Sequence, residues 1–117
     1  MSNQHKINYL EIPVKDIAAS KTFFSRAFGW GFVDYGPDYA AITDAGIDGG
    51  LFTSNLSVST ENGSVLVVLY SETLEQTLQS ILACGGEIIK DIFSFPGGRR
   101  FHFADPNGNE YAVWSDK

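Results

Sequence analysis

The sequence of 117 residues predicts an α+β domain built from two copies of one β-α-β-β-β module. A helical stretch that begins at Ile17 is repeated about 57 residues later by one that begins at Leu74. The turn Asp44-Ala45-Gly46 precedes one apolar strand, and Asp105-Pro106-Asn107-Gly108 precedes another. Since a solenoid needs at least three repeats, two copies indicate a pseudo-symmetric open sheet instead.

The first module is predicted over residues 7–54. Alternating residues indicate a strand from Ile7 to Val14, and Asp16 is a suitable N-cap for a helix that ends near Phe28-Gly29. Three short strands separated by glycine-containing turns complete the module. They are predicted at Phe32–Tyr35, Tyr39–Thr43 and Ile47–Thr53.

A polar linker is predicted over residues 55–63, and the second module over residues 64–115. Its apolar strand Ser64–Tyr70 leads into a helix from Leu74 to Gly85-Gly86, for which Thr73 and Gln76 form a predicted capping box. The last three strands are predicted at Glu87–Phe93, Arg99–Ala104 and Glu110–Ser115. The whole is expected to be one domain over residues 5–117.

The composition excludes several classes of partner. The net charge is −6, and Arg99-Arg100 is the only cluster of basic residues, so nucleic acid is not an expected ligand. The single Cys84 excludes an internal disulfide and fits a reducing compartment. The N-terminus has no apolar stretch of a signal peptide, and no apolar run approaches the length of a membrane span. A cytoplasmic protein without a membrane partner is expected.

Four stretches of the chain resemble one superfamily. They are Ile12-Pro13-Val14-Lys15-Asp16-Ile17, the helix end Phe23-Phe24 to Phe28-Gly29-Trp30, the pair Gly85-Gly86, and Phe103 to Glu110. In this order they are similar to the vicinal oxygen chelate superfamily, which includes glyoxalase I, bleomycin-resistance proteins, fosfomycin-resistance enzymes and extradiol dioxygenases. The resemblance implies that eight strands curl into a cup. It also implies that enzymatic members hold a divalent metal there with His, Glu or Gln ligands.

The resemblance also implies where the metal ligands would lie, on the first and fourth strands of each module. Those positions hold Tyr9, Gly50, Leu66 and Ala112. Divalent transition metals need imidazole, carboxylate or thiolate donors, and this set offers only one phenol. We therefore expect neither a metal site of the usual kind nor another cofactor.

Strand alternation predicts which side chains share a face with those four positions. The aromatic candidates for ligand binding are Tyr9, Tyr39, Phe52, Tyr70 and Trp114, and the polar candidates are Asp48, Arg100 and Glu110. Glu11 and His102 are candidate catalytic groups. Each has a structural alternative: Glu11 as a solvated or paired carboxylate, His102 as a half-buried strand residue, Arg100 as an ion-pair partner of Glu11 or Glu110, and Trp114 as a packing residue.

Two functions remain open. One is a metal-free module that binds a small aromatic or cationic molecule in the cup. The other is a glyoxalase-type lyase, isomerase or dioxygenase that uses atypical metal ligands or no metal. In the metal-free form Glu11 would remove a proton next to a carbonyl, and His102 or Arg100 would stabilise the enolate. A vestigial pocket is a third possibility. The resemblance favours a homodimer, with each cup formed within one chain or across two.

Overall fold

The computed structural model describes residues 3–117 and divides into two compact units. The first unit ends at Leu56 and contains one helix and four strands. They are β1 (Tyr9–Val14), α1 (Ile17–Phe28), β2 (Gly31–Asp34), β3 (Tyr39–Thr43) and β4 (Asp48–Thr53). The sheet order is β1-β4-β3-β2, and the β1–β4 pair is parallel. A parallel pair needs a long crossover, which here includes α1.

The second unit is Ser57–Lys117 and repeats this topology. It contains β5 (Val67–Tyr70), α2 (Leu74–Ala83), β6 (Glu87–Phe95), β7 (Gly98–Ala104) and β8 (Glu110–Ser115). The order is β5-β8-β7-β6, with β5 and β8 parallel. The predicted α+β class, with eight strands and two helices in two β-α-β-β-β modules, is therefore confirmed.

Some predicted strand ends were wrong. Strands predicted from Ile7 and Ser64 begin at Tyr9 and Val67, where the ladders to β4 and β8 begin. The apolar residues before them remain outside the sheets, and Ile7 is 80% exposed. Strand β6 extends two residues further than predicted, to Phe95, through two shifts in its register with β7.

The core of the first unit consists of apolar side chains from α1 and its sheet. Phe23 and Phe24 are buried on α1, and the Phe24 ring stacks on Trp30 with 4.4 Å between centroids. Trp30 is therefore a packing residue. Ile12, Val14 and Leu51 are buried on the sheet.

In the second unit, Leu74 and Ile81 of α2 are buried, and so are the middle of β7 and nearly all of β8. Leu82, next to Ile81 on this helix, is 46% exposed. Phe101 and Phe103 are fully buried, and alternation along a strand places Arg100 and His102 on the opposite face of β7. This second face carries the polar candidates. Neither helix of the described chain has the length and hydropathy to span a membrane.

The two helices begin differently. The Asp16 side chain accepts a hydrogen bond from the Ala19 backbone N–H at 3.2 Å, which confirms the predicted N-cap of α1. Thr73 precedes α2 but makes no side-chain capping bond, so the predicted capping box was wrong. Instead the Ser71 hydroxyl accepts from the Thr73 backbone N–H at 3.0 Å and bonds the Thr77 hydroxyl at 2.7 Å.

This difference in capping predicts that two matched substitutions lower the free energy of unfolding by unequal amounts. Asp16→Ala removes a capping acceptor and should lower the free energy of unfolding by about 0.5–2 kcal/mol. Thr73→Ala removes no capping bond and should change it by less than about 0.5 kcal/mol. Urea denaturation of both variants measures the two changes. An equal loss in both would contradict the capping difference.

Candidate functional site

In the first unit, five predicted site residues lie on one face of the sheet. Tyr9 and Glu11 are two residues apart on β1, and their register partners on β4 are Asp48 and Gly50. Tyr39 of β3 is the partner of Phe52 on β4. Since register partners share a face, the side chains of all five point the same way.

Tyr9, Tyr39 and Glu11 form what we call the tyrosine–carboxylate cluster. The Tyr39 hydroxyl donates to Glu11 Oε2 at 3.0 Å and also bonds the Tyr9 hydroxyl. Because a phenol has one proton, Tyr9 donates to Tyr39 and Tyr39 donates to Glu11. The hydrogen bond with Tyr9, followed by burial and Glu11, raises the pKa of Tyr39. Tyr39 therefore keeps its proton at neutral pH and orients the exposed Glu11 carboxylate.

Gly50 leaves the space for this arrangement. A Cβ at Gly50 would overlap the hydroxyl and ring of Tyr39, so this strand position accepts no side chain while Tyr39 lies there. The position is one of the four at which the resemblance implies a metal ligand. The others show no better donors: Leu66 precedes β5, and Ala112 is fully buried. Across residues 3–117, no three His, Cys, Asp or Glu side chains group as metal ligands do.

In the second unit, His102 and Glu110 form a buried pair. His102 Nδ1 lies 2.7 Å from Glu110 Oε2, and each side chain is 6% exposed. Glu110 also accepts from the Thr60 backbone N–H at 2.8 Å and from its hydroxyl at 3.0 Å. Burial alone would raise the pKa of Glu110, but the hydrogen bonds from His102 and Thr60 outweigh it and lower the pKa. Glu110 is therefore ionised at neutral pH and accepts from His102 Nδ1–H.

This pairing fixes the other imidazole nitrogen. When Nδ1 carries the proton of a neutral imidazole, Nε2 is an acceptor. His102 Nε2 is buried and has no hydrogen-bond partner among the described residues. The centroid of the Phe93 ring lies 6.1 Å from the imidazole centroid.

Arg100 lies on the same face of β7, two residues from His102. Its guanidinium lies over two rings of β6, 5.4 Å from the Phe93 centroid and 5.8 Å from that of Phe95. It forms no ion pair within the second unit, and the predicted alternative of a bridge to Glu110 was wrong, because His102 and Thr60 occupy that carboxylate. Its Nε is buried without a hydrogen-bond partner in the described chain.

The two remaining aromatic candidates contact each other. The Tyr70 and Trp114 rings meet edge to face with centroids 5.2 Å apart. The Tyr70 hydroxyl donates to Asp116 Oδ1 at 2.5 Å, and this bond, assisted by burial, raises the pKa of Tyr70 to about 12. Trp114 also approaches Phe95, so it has the packing contacts of its structural alternative.

Sequence reasoning missed Thr60, Phe93 and Phe95. Thr60 lies in the predicted polar linker, where no pattern indicates a contact. The two phenylalanines lie in a strand whose register with β7 shifts between Lys90 and Phe93, so simple alternation gives no reliable face for them.

A separate cavity of about 440 Å³ in the first unit includes Asp48 among its lining residues, which otherwise come from segments 3–8 and 44–47.

The buried pair predicts a pH-dependent contribution to stability. Because the pKa of Glu110 is lower in the folded chain than its ordinary value of 4.5, ionised Glu110 stabilises the fold above that value, and this contribution is lost as the pH falls through the folded pKa. Glu110→Gln should therefore cost stability at pH 7, and its difference from the native protein should shrink below pH 4.5. Urea denaturation across pH measures this difference. The exposed Glu87→Gln is the control, and a pH-independent cost for Glu110→Gln would contradict the assignment.

Comparison with known proteins places this geometry in a family. The family model described as Glyoxalase/Bleomycin resistance protein/Dioxygenase superfamily matches residues 6–113. No curated protein matches the chain. A glyoxalase-related enzyme from Fulvimarina pelagi has a similar structure, with a TM-score of 0.78 and 16% identity over 95% of this chain and 88% of that one.

Two further structures show the same similarity of fold. A glyoxalase/bleomycin resistance protein/dioxygenase family enzyme from Burkholderia phytofirmans PsJN gives a TM-score of 0.78 and 15% identity over 94% of this chain and 98% of that one. The fosfomycin resistance protein FosX from Listeria monocytogenes gives 0.77 and 15%, over 93% and 91%. With the family model matching most of its length, the chain belongs to the glyoxalase/bleomycin resistance protein/dioxygenase superfamily.

Proposed function

We propose that this protein is a metal-free member of its superfamily that binds a small aromatic cation at the tyrosine–carboxylate cluster. The observation that carries the proposal concerns Gly50. This glycine stands where the resemblance implies a metal ligand, and the Tyr39 hydroxyl fills the space that a side chain there would need. The residues at the implied metal positions do not fit a divalent ion.

The charges on this face support a cationic ligand. Glu11 and Asp48 are both exposed, and neither pairs with a Lys or Arg of the described residues. The rings of Tyr9, Tyr39 and Phe52 lie on the same face. A cation over an aromatic ring gains about 0.5–2 kcal/mol, and a carboxylate adds a charged partner. The net charge of −6 favours the approach of a cation.

Benzyltrimethylammonium is a direct probe of this proposal, and benzyl alcohol is its neutral counterpart. Titration calorimetry in EDTA should show saturable binding of benzyltrimethylammonium and no saturable binding of benzyl alcohol. Glu11→Gln should weaken binding by about 2- to 30-fold, because it removes the carboxylate that faces the rings. The exposed Glu61→Gln, in the second unit, is the matched control. No saturation by the cation, or equal loss in both variants, would contradict the proposal.

A second function is favoured by the hydrogen bond from Tyr39 to Glu11. A carboxylate held by a protonated phenol has the geometry of an oriented general base, which suits proton removal next to a carbonyl. In that case the protein would be a metal-free isomerase or lyase of the glyoxalase type. His102, the other candidate catalytic residue, belongs to the second unit, where it is paired with Glu110.

Proton exchange separates the two functions. Deuterium incorporation into hydroxyacetone in D₂O, followed by NMR, reports proton removal next to its carbonyl. An enzyme should accelerate this exchange, and Glu11→Gln should abolish the acceleration. Exchange at the uncatalysed rate in the native protein would favour the binding function.

A further inference from the structure

We propose that the second unit binds a small aromatic 2-hydroxycarboxylate, with the carboxylate on Arg100 and the hydroxyl on His102. The inference goes beyond the proposed cation site, because it concerns another unit, other residues and a ligand of opposite charge. It depends on Arg100, His102, Glu110 and the rings of β6, which together we call the arginine–histidine face.

Arg100 is the anchor of the carboxylate. It is half-buried, yet it has no acidic partner within Ser57–Lys117, and its guanidinium lies over the rings of Phe93 and Phe95. Its neighbour Arg99 is different, since it makes two hydrogen bonds to Glu75. Removing a guanidinium partly from water without a counterion is costly. A carboxylate matches its planar N–H fork and supplies the missing partner.

The ring faces of this unit do not suit a ligand cation. Phe93 already has the Arg100 guanidinium over its ring and Lys90 Nζ 5.1 Å from its centroid. Two resident cations therefore occupy the position that a ligand cation would need, and they attract an anion instead. This reverses the ligand charge expected for the first unit.

His102 supplies a second, independent polar contact. Its Nε2 is buried and without a hydrogen-bond partner among the described residues, which is costly for an imidazole acceptor. With Nδ1–H donating to Glu110, the Nε2 of a neutral imidazole is an acceptor. A ligand hydroxyl next to the carboxylate is a donor of the required kind. Glu110 is here a positioning residue, because it acts through His102.

Access to Nε2 requires a side chain to move. Phe93 is the ring beside the imidazole, and it lies where the β6–β7 register shifts, so its strand is held less regularly than its neighbours. Displacement of this ring by an aromatic ligand would open Nε2 and leave the ligand ring against Phe95 and Trp114, which are in contact with each other.

Calorimetry with three related probes tests the assignment. Mandelate has both groups, phenylacetate lacks the hydroxyl, and benzyl alcohol lacks the carboxylate. Mandelate should bind about 2- to 10-fold more tightly than phenylacetate, and benzyl alcohol should bind more weakly than both. Equal binding of all three would overturn the proposal. Mandelate and phenylacetate binding equally would overturn the role of His102.

Matched variants locate the site. Arg100→Gln should weaken phenylacetate binding by about 10- to 150-fold, whereas Arg99→Gln, whose arginine is paired with Glu75, should leave it unchanged. His102→Gln should bring mandelate and phenylacetate to the same affinity. Thermal unfolding checks that each variant is folded. An equal loss in the two arginine variants would overturn the assignment to Arg100.

An experiment on the native protein needs no variant. The chain has two histidines, so ¹⁵N NMR resolves their ring nitrogens, with His5 as the internal control. Mandelate should shift the Nε2 signal of His102 and leave that of His5 unchanged, whereas an unchanged His102 signal at saturation would overturn the contact. Since the cation experiment uses the opposite charge and Glu11, either proposal can fail without the other.

Discussion

The buried carboxylate of Glu110 is the constraint on which the second unit depends. An ionised side chain that is 6% exposed is tolerated only if hydrogen bonds replace its water. His102 and Thr60 supply those bonds from strand β7 and from the segment before β5. The Val58 backbone adds two bonds, to Asn109 Oδ1 at 2.8 Å and from the Glu110 N–H at 2.9 Å. The carboxylate and these backbone bonds together hold the segment before β5 against the start of β8, and the carboxylate also orients the imidazole.

The two modules share a topology but have diverged in charge. In the first unit, the face of the sheet carries Glu11 and Asp48 without basic partners and a phenol that fills the place of a side chain at Gly50. In the second unit, strand β7 carries Arg100 and His102 beside phenylalanine rings of β6. The two modules therefore share a strand order and differ in the polar groups that they carry. The proposed ligand chemistry follows from these groups rather than from the fold, which does not fix function.

Much of the fold was predictable because local signals agreed. The cap at Asp16, the left-handed Gly29 at φ 74° and the alternation of β1 each indicated the same module. The ends of β1 and β5 were not predictable, since Ile7 and Val65 look like strand residues and are excluded only by the lack of a ladder partner. The capping box at Thr73 was wrong because the Ser71 hydroxyl accepts from the Thr73 backbone N–H, the bond that a capping box assigns to the Gln76 side chain.

The sequence predicted which site residues share a face of the sheet, but not which groups their side chains hydrogen-bond. Alternation correctly grouped Tyr9, Glu11 and Tyr39, but their hydrogen-bond chain depends on distances that the sequence does not contain. For Glu110, the sequence offered Arg100 as a partner, whereas the folded chain uses Thr60, which is 50 residues away. Such pairings arise from tertiary geometry, and no periodicity indicates them.

The most direct measurement of the central claim is the metal content of untagged protein, determined by elemental analysis before and after reloading with manganese, iron, nickel and zinc. With Tyr9, Gly50, Leu66 and Ala112 at the implied ligand positions, we expect the content to stay well below one ion per chain in every case. One tightly held ion per chain would contradict the metal-free proposal and would show that other residues supply the ligands.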